Sequence, residues 1–128
     1  MALSLGAFVL FVSCPSSSPP DRRVPPAAVS TDPALAERGR RLFNLKACNL
    51  CHSVDGSPST GPSLMGIGRR SDRRTLQEWS SDPELIYERE DRHPLHQGFA
   101  PMPRQNVTPA EAEALAEYLL SLTPPSGR

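Results

Sequence analysis

The chain has no excess charge of either sign, with 14 Lys and Arg against 14 Asp and Glu. No net field therefore points to nucleic acid or an acidic membrane as the main partner. Cysteine is scarce as well. Three cysteines cannot all pair within one monomer, so a disulfide framework does not explain them. Long apolar runs are missing: the run at residues 1–13, MALSLGAFVLFVS, is too short to cross a hydrocarbon core of about 30 Å as a helix. No segment shows the alternation of a half-buried strand, which leaves a sheet-based architecture without support. With 128 residues there is room for one ordinary domain and not for a second core.

What is present divides the chain in three. Residues 1–14 read as a targeting segment, because the apolar run suits a secretory signal and Cys14 directly follows small Ser13, as at a bacterial lipoprotein processing site. A cut a few residues later, or a retained anchor, is the alternative. Residues 15–31 hold Pro15, Pro19, Pro20, Pro25 and Pro26 without apolar periodicity, so they read as an extended linker reaching roughly 50 Å. The folded domain is expected over residues 32–123. These features predict an exported protein of the bacterial periplasm, tethered to the membrane through Cys14.

Asp32-Pro33 offers a helix N-cap followed by proline at the first helical position, and Leu35, Gly39, Leu42 and Phe43 recur at helical spacing up to about Lys46. Glycine on that face costs about 1 kcal/mol of helix propensity, as expected where a second helix crosses at close range. Thr108-Pro109-Ala110-Glu111 is a capping box, predicting a helix that runs until Pro124. Its stripe is Ala112, Leu115, Ala116, Leu119 and Leu122, with Glu113, Glu117 and Ser121 largely outside. Arg73 to Ser80 and Pro83 to Glu90 read as shorter helices, the second capped by Asp82. Long loops at 53–71 and 91–107 complete an all-α domain. Helices this short enclose little core, so something else must fill the centre.

Cys48-Asn49-Leu50-Cys51-His52 is a C-x-x-C-H motif. Two thiols three residues apart reach the two vinyl groups of one haem, and the adjacent imidazole reaches its iron. A thioredoxin-like dithiol would need a βαβ setting that is missing here. A structural zinc site would need four ligands, and His93 and His96 lie some forty residues away. Covalent haem attachment also supplies the missing centre.

From this point the chain resembles the class I cytochromes c over nearly all of residues 32–123. The resemblance rests on the first helix with Gly39 and Phe43, on CNLCH at 48–52 and on Gly61-Pro62-Ser63-Leu64. The Met102-Pro103 pair and a final helix with Leu115 and Tyr118 complete it, in the family's order. It implies a small fold in which the N- and C-terminal helices cross, with short middle helices around one haem c. It implies that Gly39 and Phe43 pack near Tyr118, and that the Pro62 carbonyl accepts a hydrogen bond from the His52 ring. Met102, in the stiff Phe99-Ala100-Pro101-Met102-Pro103 loop, matches the family's methionine-ligand loop. Met65, His93 and His96 are the other candidates for sixth ligand, each also readable as a packing or solvated side chain. Trp79 and Tyr87 read as packing beside the cofactor.

A haem with both axial positions filled exchanges electrons without binding substrate. The expected function is therefore single-electron transfer between a donor and an acceptor protein by a non-enzymatic monomer. A dedicated cytochrome subunit of a membrane or periplasmic oxidoreductase is the alternative, and a haem enzyme or gas sensor with open iron a more distant one. The basic run Arg69, Arg70, Arg73 and Arg74, followed by a mostly acidic stretch from Glu78 to Asp91, reads as a solvated surface, with a docking patch as the rival reading.

Overall fold

The computed structural model describes residues 31–90 and 97–122. The targeting segment with Cys14, nearly all of the proline-rich linker, and His93 and His96 lie outside the described residues. Among the described residues four α-helices carry the domain: α1 (Pro33–Leu45), α2 (Arg73–Ser81), α3 (Pro83–Glu90) and α4 (Pro109–Ser121). Single 3-10 turns at Cys48–Leu50 and Ile67–Arg69 lie between α1 and α2, and no strand occurs among the described residues. The architecture is all-α, as expected.

The helix starts follow local chemistry. Asp32 accepts hydrogen bonds from the Ala34 and Leu35 amides at 2.8 and 3.1 Å, using donors that the first turn leaves unpaired. At α4 the capping box is reciprocal: Thr108 N–H donates to Glu111 at 2.8 Å and Glu111 N–H to Thr108 Oγ1 at 3.3 Å. Asp72 caps α2 through the Thr75 amide at 2.8 Å. Asp82 gives α3 only a long contact to the Leu85 amide, 3.4 Å. Helix α4 stops at Ser121 with Leu122 as its cap, short of the expected Pro124.

Both α1 and α2 pack on α4. Gly39 makes the first of these contacts possible. A Cβ built there would land on the Ala114 carbonyl, with the carbonyl carbon at 2.6 Å and Tyr118 Cβ at 2.8 Å, so the two backbones touch. One turn on, the Phe43 and Tyr118 rings meet edge-on with centroids 5.5 Å apart. Phe43, Leu76, Leu115, Ala116, Leu119 and Leu120 form the core.

The α4 stripe needs one correction. Glu117, expected largely outside it, is only 3% exposed, and Ala114 and Leu120 are buried too. A stripe inferred from periodicity assumes one neighbour, whereas α4 has two, α1 and α2, and buries a wider arc. The carboxylate is satisfied where it sits. Glu117 Oε2 accepts the Asp32 backbone N–H at 2.9 Å, and Oε1 accepts from the Arg73 guanidinium. One side chain thus ties the start of α1 and the start of α2 to α4. Breaking such a cluster from one side leaves an uncompensated buried group. Glu117→Ala and Arg73→Ala should each lower unfolding free energy in urea by about 2 kcal/mol, whereas Arg41→Ala, on the exposed face of α1, should change it by less than about 0.5 kcal/mol.

Candidate haem site

Helix α1 ends at Leu45 with Lys46 as its cap, and Ala47 turns the chain with φ 58°. A non-glycine residue in this left-handed region is a strained choice, of the kind that clusters at functional sites. It starts the turn in which Cys51 N–H and His52 N–H both donate to the Cys48 carbonyl, at 3.2 and 2.9 Å. The CNLCH residues therefore share one tight turn. Cys48 is half-buried and Cys51 exposed, neither in a disulfide. Burial pushes the Cys48 thiol up from its ordinary value.

The segment Gly61 to Leu64 then folds back over this turn. Gly61 N–H donates to the Cys51 carbonyl at 2.7 Å and Leu64 N–H to the Ser53 carbonyl at 2.8 Å. Between these bonds, His52 Nδ1 lies 2.8 Å from the Pro62 carbonyl oxygen. A carbonyl can only accept, so the ring N–H is on Nδ1 and Nε2 keeps its lone pair for a metal. Gly61 is needed for the approach: a Cβ there would lie 2.9 Å from the Cys51 oxygen and 3.0 Å from the His52 ring.

Cys48, Cys51, His52 and Met102 all line one cavity of about 260 Å³. Phe43, Leu64, Leu76, Leu115 and Leu119 give it apolar walls, and no Lys, Arg, Asp or Glu lines it among the described residues. Two thiols, an imidazole with one free lone pair and a thioether, gathered around an apolar hole in a small core, fit a covalently attached haem. Among the described residues, no group of three or more His, Cys, Asp or Glu side chains is arranged to hold a metal ion.

The two methionine candidates for sixth ligand lie in different places. Met102 lines the cavity, whereas Met65 does not. Met65 is 46% exposed, and its sulfur packs on the turn at Gly56, where an added Cβ would lie 3.3 Å from it. The Met102 loop is held by residues that the sequence pattern did not single out for this task. Met102 N–H donates to the Tyr87 hydroxyl at 2.8 Å, Arg104 bonds Asp82 at 2.7 Å, and Lys46 Nζ donates to the Asn106 carbonyl at 3.1 Å. Trp79 and Tyr87 line the same cavity and meet edge-on, 5.3 Å between centroids. Such partners are invisible to periodicity, because each joins distant stretches of chain.

Three arginines of the basic run are engaged inside the domain. Arg70 donates to the Ser63 carbonyl at 2.9 Å beside Pro62, Arg73 pairs with Glu117, and Arg74 bonds Glu78 at 2.9 Å. All four arginines of the run are exposed, Arg74 with 84% of its side chain in solvent, so these contacts lie on a solvated surface.

Residues 36–123 match the family model described as Cytochrome c. The chain belongs to the class I cytochromes c. Like its relatives, this cytochrome carries one covalently bound haem c. It is 36% identical over 95 residues to cytochrome c-551 of Stutzerimonas stutzeri, covering 74% of this chain and 86% of that protein. It is 29% identical over 97 residues to cytochrome c oxidase subunit 2 of Alkalihalophilus pseudofirmus, where the match covers 69% of this chain but only 26% of the longer subunit. In three dimensions it is similar to cytochrome c from Rhodothermus marinus, with a TM-score of 0.61 at 25% identity over 73% of this chain and 81% of that one.

Proposed function

We propose that this cytochrome shuttles single electrons between a donor and an acceptor protein and is not itself an enzyme. Its haem is attached through Cys48 and Cys51, and His52 and Met102 are the axial ligands. One observation carries the reading: the cavity lined by Cys48, Cys51 and His52 is also lined by Met102, on a loop held at Met102, Arg104 and Asn106. A haem held there would supply a one-electron Fe(III)/Fe(II) couple, so that the protein could accept an electron from the donor and give it to the acceptor with no bond made or broken. The protein's own share is positional. The Pro62 carbonyl orients His52 and raises its basicity, Met102 would hold the iron position that a substrate would otherwise need, and the apolar wall excludes water. A thioether ligand and a dry pocket both favour Fe(II), so the reduction potential is expected to be positive.

Acid acetone should leave the haem on the polypeptide, whose mass exceeds that of the chain by one haem, and Cys48→Ala with Cys51→Ala should abolish assembly. The spectrum of the reduced protein should not change under carbon monoxide. Rapid carbon monoxide binding would instead indicate open iron and a sensor or enzyme. Export to the periplasm, lipidation at Cys14 and the linker as a tether belong to the same proposal; mature protein should then partition with membranes and lack residues 1–13.

The likeness to part of an oxidase subunit favours a second reading, in which the domain serves one membrane oxidoreductase as its dedicated electron relay. Stoichiometric co-purification with such a complex would favour it. Turnover with freely diffusing partners would favour the carrier.

A further inference from the structure

His52 lines the haem cavity and also a second, more polar cleft, which it shares with Ser53, Ser59 and Thr60. Solvent entering that cleft competes with the Pro62 carbonyl, whose oxygen lies 2.8 Å from His52 Nδ1, for the ring N–H. The stretch of chain between the histidine and that carbonyl has little backbone structure of its own. Residues 54–60 make no backbone–backbone hydrogen bond to another described residue, so side chains help to decide how its two ends are held.

The Ser59 hydroxyl joins those ends. It accepts the Ser53 N–H at 3.3 Å and donates to the Gly61 carbonyl at 2.8 Å. Ser53 directly follows His52, and Gly61 directly precedes Pro62. One hydroxyl therefore spans the same gap as the His52–Pro62 hydrogen bond, from the neighbouring residue on each side. The Gly61 N–H on the Cys51 carbonyl and the Leu64 N–H on the Ser53 carbonyl cross it as well, but these are backbone bonds that any side chain at position 59 leaves in place.

We propose that Ser59 is a positioning residue for His52: by holding Ser53 and Gly61 together, its hydroxyl keeps the Pro62 carbonyl on the ring N–H and solvent off it. The inference rests on the reading of His52 as axial ligand. A carbonyl held on the Nδ1–H makes the imidazole a more basic ligand, which favours Fe(III), and loosening that carbonyl favours Fe(II). The hydroxyl acts through the backbone on either side of the pair and touches neither the ring nor the Pro62 oxygen.

Ser59→Ala in the haem-loaded full chain removes the hydroxyl, and Ser59→Thr keeps it. Ser59 is exposed, so neither change opens a cavity in the core. In Ser59→Ala, exchange of the His52 Nδ1–H with solvent, followed by NMR, should speed up about fivefold, equivalent to about 1 kcal/mol and the scale of one hydrogen bond. The reduction potential of the same variant should rise, and Ser59→Thr should restore both values. Ser57→Ala is the control: its hydroxyl bonds Asp55 within the same loop at 2.6 Å, and its loss should move neither readout. A Ser59→Ala protein that unfolds earlier in urea but keeps the native exchange rate or the native potential overturns the proposal, since the hydroxyl then serves only the loop. The His52 ring protons separate the two readings, because in an axial ligand the unpaired electron of Fe(III) shifts them far from their ordinary positions. Where they are so shifted but Ser59→Ala matches the native protein in exchange and potential, the ligand stands and the positioning role falls. Ring protons at ordinary positions in the oxidised native protein remove the ligand reading and the inference together.

Discussion

Met102→Ala should strip the oxidised protein of its near-infrared sulfur-to-iron band, open the reduced iron to carbon monoxide and lower the reduction potential. The expected fall is on the order of 0.1 V, a modest part of the roughly 0.8 V over which axial ligands move haem potentials. The direction follows from ligand softness: sulfur stabilises Fe(II) relative to Fe(III), and water entering the vacated position does the opposite. The structure makes the effect specific, because Met102 lines the cavity and Met65 lies outside it, 46% exposed. Met65→Ala should therefore change none of the three readouts. A Met102→Ala protein with native band and potential would transfer the ligand to another residue, with His93 and His96 next in line.

Gly39→Ala should produce the largest loss of stability of any one-carbon change in the described residues. Alanine improves helix propensity by about 1 kcal/mol, so at an exposed position the same change would stabilise. Here the added carbon meets backbone, the Ala114 carbonyl carbon at 2.6 Å, as well as Tyr118 Cβ at 2.8 Å. Backbone has no rotamer into which it can withdraw. The helices α1 and α4 must separate, loosening the edge-on Phe43–Tyr118 pair and the core below it. A net loss of about 3 kcal/mol is expected, the upper end of what overpacking costs and a large share of the roughly 5–15 kcal/mol that holds a small domain together. Denaturant unfolding of the haem-loaded protein measures it. Gly98→Ala is the comparison, since nothing lies within 4 Å of its added carbon and only its φ of +78° opposes the change. It should cost about 1 kcal/mol.

These two expectations differ in how far they could be read without coordinates. Helices α1 and α4, their Asp32 and Thr108 caps and the need for a close crossing at Gly39 follow from neighbours within four residues, so local chemistry along the chain was enough to place them. The same holds for CNLCH, whose spacing alone brings two thiols and an imidazole onto one turn. Other features join positions that no local rule connects. Glu117 bonds an amide 85 residues away and a guanidinium 44 away; it is buried because α4 has two neighbours, and periodicity reports a face without saying how many helices will cover it. Tyr87 bonds an amide 15 residues away, and the exposed arginine run finds a carbonyl and carboxylates whose places only the fold supplies. Sequence by itself determined the helices and the chemistry of the attachment motif, because both are written in contacts of short range. The place of Met102 at the cavity and of Met65 outside it, the residues that hold the Met102 loop and the burial of Glu117 were decided by the tertiary structure, because each depends on which distant groups meet once water is excluded.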